Sequence, residues 1–151
     1  MTLRAQRAEV VPYDDGWAAT FVELAAAIRT ALGAAAVRID HVGPTAVPGT
    51  TARPVIDIQV SVAAFEPIDA YQGPLEELGY DLVPDPDATQ RAFARRVDGR
   101  AHVHVRVAGS FAEQRALLLR DHLREHPDEP GLAEAERWSK DTGWSPGPSD
   151  A

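Results

Sequence analysis

Residues 37–62, VRIDHVGPTAVPGTTARPVIDIQVSV, decide how the rest of the chain is read. Val37 to Val42 has the β-branched character of a strand, and Gly43-Pro44 stops it. A loop of small residues leads to a second strand, Val55 to Val62. In that strand Val55, Asp57, Gln59 and Ser61 fall on one face, and Ile56, Ile58, Val60 and Val62 on the other. One face is for packing and the other is polar. A glycine turn lets backbone N–H groups approach a phosphate, and a carboxylate on an adjoining strand can hold a divalent cation against it. Gly43, Thr45 and Asp57 are therefore candidates for a phosphate-binding turn and its metal ligand.

Working outward, Asp14 and Asp15 precede Trp17, Phe21, Leu24 and Ile28 at helical spacing, and Gly33 closes that helix. Pro67 to Leu78 predicts another helix with proline in its first turn. Tyr80–Val83, Gln90–Val97 and Ala101–Val107 predict three more strands, the last two joined at Asp98-Gly99, a strong hairpin signal. Ser110 and Glu113 form a capping-box pattern ahead of a helix through Leu123, with Ala112, Ala116, Leu119 and Leu123 on one stripe. A short helix, Leu132–Trp138, is expected before a Gly, Pro and Ser-rich tail at 139–151, which is expected to be disordered. The order α-β-β-α-β-β-β-α-α gives an α/β (α+β) fold in which a mixed sheet of about five strands carries helices mainly on one face. Residues 1–138 form a single domain on this reading.

Composition narrows the function. A chain of 151 residues can bury a core without staples. With no cysteine, disulfides and thiolate metal sites are excluded and a reducing cytoplasm is the expected home. The opening MTLRAQRAEVV has no apolar run behind its charges, so no signal peptide is expected, and no apolar stretch is read as a membrane span. A formal net charge of −8 argues against duplex nucleic acid as partner. Lys140 is the sole lysine, so no P-loop lysine or lysine nucleophile serves the core. Walker A, dinucleotide-binding and Gly-x-Ser-x-Gly patterns are absent from the sequence.

Several segments together resemble the GrpB family: Val11-Pro12-Tyr13-Asp14 with Trp17, Ile39 to Gly49, Arg53 to Ile58, His102 to Val105, Leu119 to Arg124, and His126-Pro127. The resemblance covers roughly residues 9 to 138. It implies the fold of the nucleotidyltransferase (polymerase-β-like) superfamily, whose members place a metal-binding catalytic carboxylate where Asp57 stands. It also implies anion contacts at Arg53 and Arg120, which fall on family motif positions, and Mg²⁺ or Mn²⁺ as cofactor. Related domains are fused to dephospho-coenzyme A kinase in some bacteria, which makes that enzyme a candidate partner. This chain departs from the family pattern at Pro44, where serine is usual, at Asp40, where glutamate is common, and in a shorter C-terminal region.

Active nucleotidyltransferases carry two carboxylates two residues apart on one strand face, both directed at two magnesium ions. Here the second position is Gln59, whose amide oxygen can ligate but brings no charge. His102 and His104 alternate on one strand and so share a face. If that strand lies near Asp57, an Asp57, His102, His104 cluster would suit Zn²⁺, Mn²⁺ or Fe²⁺ better than Mg²⁺. His41, beside Gly43, either contacts a phosphate or caps the turn. Arg120 and Arg124 are one helical turn apart and suit an anion. His122 and His126 spell H-x-x-E-H, but Pro127 ends that helix and few residues follow to give a third ligand, so a protease is rejected. Three functions follow. The first is a nucleotidyltransferase-like protein binding a nucleotide or phosphorylated metabolite in a cleft, with transfer of a nucleotidyl group if active. The second is a non-catalytic ligand-binding or interaction module linked to coenzyme A biosynthesis. The third is a mononuclear metal-dependent hydrolase.

Overall fold

A strand apolar on one side must bury that side, and the row Ile56, Ile58, Val60, Val62 sets the architecture accordingly. The computed structural model describes residues 9–151. The opening residues 1–8, on which the expectation about a signal peptide partly rests, lie outside the described residues. Along the chain come α1 (Gly16–Leu32), β1 (Arg38–Val42), β2 (Ile56–Val62), α2 (Gln72–Glu77), β3 (Tyr80–Val83), β4 (Arg91–Arg95), β5 (Ala101–Val107), α3 (Phe111–Glu125) and α4 (Leu132–Thr142). The strands form one mixed sheet of order β1-β2-β5-β4-β3. β2 and β5 are parallel, and the other neighbours are antiparallel. The α+β class and the five strands are as the sequence predicts.

Trp17, Phe21, Ala25, Ile28 and Leu32 of α1 are buried against the apolar face, in one core with Ile58, Val60, Phe93, Val103 and Val105. Leu75 of α2 joins them. The segment Gly16–Ala35 is long and apolar enough to cross a membrane by length and composition, contrary to the expectation that no stretch would be. Its large apolar residues Trp17, Phe21, Ile28 and Leu32 are engaged in the core of the domain. The helices do not gather mainly on one face. α3 lies over the polar face, where the Gln59 side-chain amide donates to the Glu113 carbonyl at 3.4 Å, and α4 packs on α3. α3 brings buried polar side chains of its own, Glu113 and Arg120, to this side of the sheet.

Two local expectations need correction. Pro67–Leu78 is not one helix but a 3-10 turn at Ile68–Ala70 followed by α2. Pro74 lacks an N–H and its ring would crowd the carbonyl four residues back, so the chain breaks at Tyr71. The 139–151 tail, expected to be disordered, is packed. α4 runs on to Thr142, and Gly143 closes it in the left-handed conformation. The chain then returns along β1. The Ile39 N–H donates to Ser149 Oγ at 2.8 Å, the His41 N–H donates to Asp150 Oδ2 at 2.9 Å, and the Ala151 N–H donates to the Ile39 carbonyl at 3.1 Å. β1 is an edge strand whose unpaired backbone groups need partners, and the tail provides them.

Candidate metal centre

Parallel pairing of β2 with β5 sets Asp57 opposite His102 and Gln59 opposite His104. The period of two then turns Asp57, His102 and His104 to the same face. His104 Nε2 lies 3.0 Å from Asp57 Oδ1, and His102 Nδ1 lies 3.9 Å from the same oxygen. One ligand atom from each residue falls within 4.8 Å of the others, the one such cluster found among the described residues. Ligands at bond lengths near 2.1 Å around one ion stand about 3.0–3.4 Å apart. The Asp57–His104 pair already has that spacing. His102, whose side chain is 39% exposed, stands farther off, so its ring would have to move closer to share an ion with the other two.

The surroundings prepare these groups. Gln90 Oε1 lies 3.3 Å from His104 Nδ1, so in the tautomer protonated at Nδ1 that proton has an acceptor and the Nε2 lone pair can take a metal, whereas without a metal Nε2–H donates to Asp57. Burial holds the His102 imidazole below its ordinary pKa against the pull of Asp57, which keeps its ring neutral as a ligand must be. Gly43 has φ +77°, and a Cβ there would stand 2.6 Å from Asp57 Oδ2. The glycine gives the carboxylate room.

Two cavities meet at this centre, both bordered by Pro44, Asp57 and His104. The smaller, about 290 Å³, reaches over β4 and β5 past Phe93, Val83 and Arg53. The larger, about 530 Å³, runs between the Gly43 loop and α3. Its wall is the stripe Ala112, Ala116, Leu119, Leu123, which helical periodicity alone presents as a packing surface. The buried residues of α3 are instead Glu113, Leu117, Leu118, Arg120 and His122.

The other candidates divide. Arg53 is exposed at the rim of the smaller cavity, and Gly43 lines the larger. Gln59 is fully buried between Arg106 and the Glu113 carbonyl, so it braces the site from beneath. Arg120 borders the larger cavity but is taken up by Asp40 at 3.5 Å, Asp121 at 2.9 Å and Asp150 at 3.1 Å. His122 packs among His126 and Trp138, with Nε2 3.5 Å from Glu129.

His41 and Thr45 lie apart from the cluster. His41 sits on the opposite sheet face, stacked on Phe21 with ring centroids 4.7 Å apart. The Thr45 hydroxyl can donate to the Val55 carbonyl, and His41 Nε2–H then donates to Thr45 Oγ1 at 2.9 Å. Burial, aided by Arg124, lowers the His41 pKa to about 4. In the unfolded chain it titrates near 6.5. The unfolded state therefore binds more protons between those values, and stability must fall as pH drops from 6.5 through 4, by about 3 kcal/mol in all. Urea unfolding at stepped pH should show this decline. His41→Gln should flatten it, and an unchanged slope in that variant would place the sensitivity elsewhere.

Arg106 is a site residue that the sequence reading passed over. It alternates with His102 and His104 on β5, so the strand period was the available signal. Nη1 donates to Gln59 Oε1 at 2.7 Å and Nη2 to Gln90 Oε1 at 2.8 Å, while Nε is buried without a partner. Among the described residues no carboxylate is hydrogen-bonded to it, although Asp87, Asp57 and Asp85 attract it through space.

The family model described as "GrpB protein" matches residues 7–134. A UPF0157 protein of Pseudomonas aeruginosa is 42% identical over 131 residues, covering 83% of this chain and 54% of that protein. A dephospho-CoA kinase of Mycolicibacterium paratuberculosis is 35% identical over 146 residues, covering 79% of this chain and 36% of the kinase. Among solved structures, the crystal structure of conserved protein GrpB from Enterococcus faecalis superposes with a TM-score of 0.72 at 28% identity, covering 91% of this chain and 86% of that one. The chain thus spans about half the length of the P. aeruginosa relative and about a third of the kinase.

Proposed function

Since the chain belongs to the GrpB family, we propose that it binds one divalent transition metal ion on Asp57, His102 and His104 and, beside that ion, a nucleotide or other phosphorylated small molecule. The observation that carries this reading is the convergence of three ligand atoms within 4.8 Å where two cavities meet. Two imidazoles and one carboxylate suit Zn²⁺, Mn²⁺ or Fe²⁺ better than Mg²⁺, and three protein ligands leave positions open for water or substrate oxygen. A single ion of this kind polarises a phosphoryl group or activates water, so hydrolysis is the natural reaction class. Two-metal nucleotidyl transfer fits less well. The position of the second carboxylate is held by Gln59, an amide enclosed under α3. A cysteine-free chain is suited to the cytoplasm, where we place it.

A second reading rests on the likeness to mycobacterial dephospho-CoA kinases, 35% identical for M. paratuberculosis and 30% for Mycobacterium leprae. On it, the chain is a ligand-binding module working alongside coenzyme A biosynthesis, and its phosphorylated ligand belongs to that chemistry.

Thermal unfolding with Mn²⁺, Zn²⁺ or Mg²⁺, each with and without ATP or dephospho-coenzyme A, tests both. A metal at a hundredfold excess over its dissociation constant should add about 2.7 kcal/mol, or roughly 5–10 °C in a domain of this size. The Mn²⁺ or Zn²⁺ shift should vanish in His102→Ala. A shift that persists there, or no shift with any metal, refutes the metal centre. An added shift with dephospho-coenzyme A and none with ATP favours the second reading.

A further inference from the structure

The larger cavity contains a cationic end that the metal centre does not use. Arg106 borders it one strand step beyond His104 on the same face, about 7 Å along β5. Its guanidinium is oriented by two neutral amide oxygens, Gln59 Oε1 and Gln90 Oε1, and its Nε has no partner. Arg115 of α3 borders the same cavity from the facing side, exposed and close enough to repel Arg106 electrostatically. Asp87, Asp57 and Asp85 attract Arg106 through space, but among the described residues each is hydrogen-bonded to other groups rather than to it. Asp87 accepts from the Thr89 N–H and hydroxyl, Asp85 accepts from the Asp87 N–H and Gln90 Nε2, and Asp57 lies against His104. Arg120 in the same cavity shows the contrast, because three aspartates surround it.

Two like charges face one cavity, and the half-buried one is hydrogen-bonded to neutral acceptors, so its guanidinium is held in place for an anion entering the cavity. The α3 wall of this cavity is apolar: Ala112, Ala116, Leu119 and Leu123. We propose that this lobe is a substrate subsite in which Arg106 and Arg115 receive the phosphate of a phosphate ester while its apolar body lies along the α3 wall. The inference rests on reading the cleft as a phosphate-ester site and adds to it where the phosphate goes and what the rest of the molecule resembles. An ester with an apolar body is favoured over a bare inorganic anion, and Gln59 has a purpose that a carboxylate at that position would defeat. A carboxylate there would pair with Arg106 and occupy the charge meant for the ligand.

Titration of the metal-free chain with phenyl phosphate and with inorganic phosphate, at low salt and followed by calorimetry or amide chemical shifts, tests this. Phenyl phosphate should bind saturably and roughly tenfold more tightly than inorganic phosphate, through burial of the ring. Arg115→Ala, an exposed change that leaves the core intact, should weaken it about tenfold, as expected for a lost charge-assisted hydrogen bond. Gln59→Glu keeps the shape of the side chain but neutralises Arg106, and should weaken binding at least as much. Mn²⁺ binding should be unchanged in Arg115→Ala. No saturable binding of phenyl phosphate, or equal binding by wild type and both variants, overturns the subsite. Wild type that takes Mn²⁺ but not phenyl phosphate removes the subsite alone. Wild type that takes phenyl phosphate but no metal ion removes the metal centre and leaves the subsite standing.

Discussion

Gly43→Ala is expected to lower stability by about 2–4 kcal/mol and to weaken metal binding by more than tenfold. Two independent costs combine. The backbone at 43 has φ +77° and ψ −178°, a region essentially reserved for glycine, where a side chain costs about 1–3 kcal/mol. The new methyl would also stand 2.6 Å from Asp57 Oδ2 and 3.2 Å from its Cβ and Cγ, so the carboxylate must move off the position where it meets His104. Gly49→Ala makes the comparison. Gly49 has φ +83°, but a Cβ there meets nothing within 4 Å, so this variant bears the backbone cost without disturbing Asp57. Denaturant unfolding and Mn²⁺ titration of both variants would separate the two costs. Equal metal affinity in the two would mean that the closeness of Gly43 to Asp57 has no part in the site.

Arg120→Ala is expected to cost about 3–5 kcal/mol, a scaffold effect rather than a ligand effect. Arg120 is 4% exposed and Asp40 fully buried, and the same guanidinium meets Asp121 and Asp150. Removing it leaves Arg38, bonded to Asp40 at 2.7 and 3.0 Å, as the remaining cation against that carboxylate. The contact that draws Asp150 of the returning tail onto β1 is weakened as well. The tail should therefore loosen, with faster hydrogen exchange at the Ile39 and His41 amides. A variant as stable as wild type that no longer bound phenyl phosphate would reverse the assignment and return Arg120 to the ligand.

Much of the site was legible in a period of two. The alternation of 55–62 and 101–107 puts Asp57 on one face and His102 with His104 on one face, and the resemblance of the surrounding segments points to Asp57. What the pattern leaves open is whether those two faces coincide. The strands are far apart in sequence, and parallel pairing between them depends on what crosses over in between. Arg106 shares the same alternation but is unremarkable in sequence, since most arginines are solvated. Its role comes from Gln59 and Gln90, 47 and 16 residues away, closing around it. His41 shows the reverse: a residue next to a suggestive glycine turns away, because its strand position faces Phe21 and the core.

Local periodicity indicated the five strands and the two long helices and which sides of the strands are apolar, because those follow from bond geometry within a few residues. It could not say whether an apolar stripe is core or cavity wall, and α3 has both: Leu117 is buried while Leu119 faces the cleft. Nor could it order a Gly, Pro and Ser-rich tail that has no period of its own and takes its conformation from the open edge of β1. Charge pairing was the part decided by tertiary structure alone. Asp40 and Arg120 lie eighty positions apart in the chain and 3.5 Å apart in space, and electrostatic energy depends on the second distance.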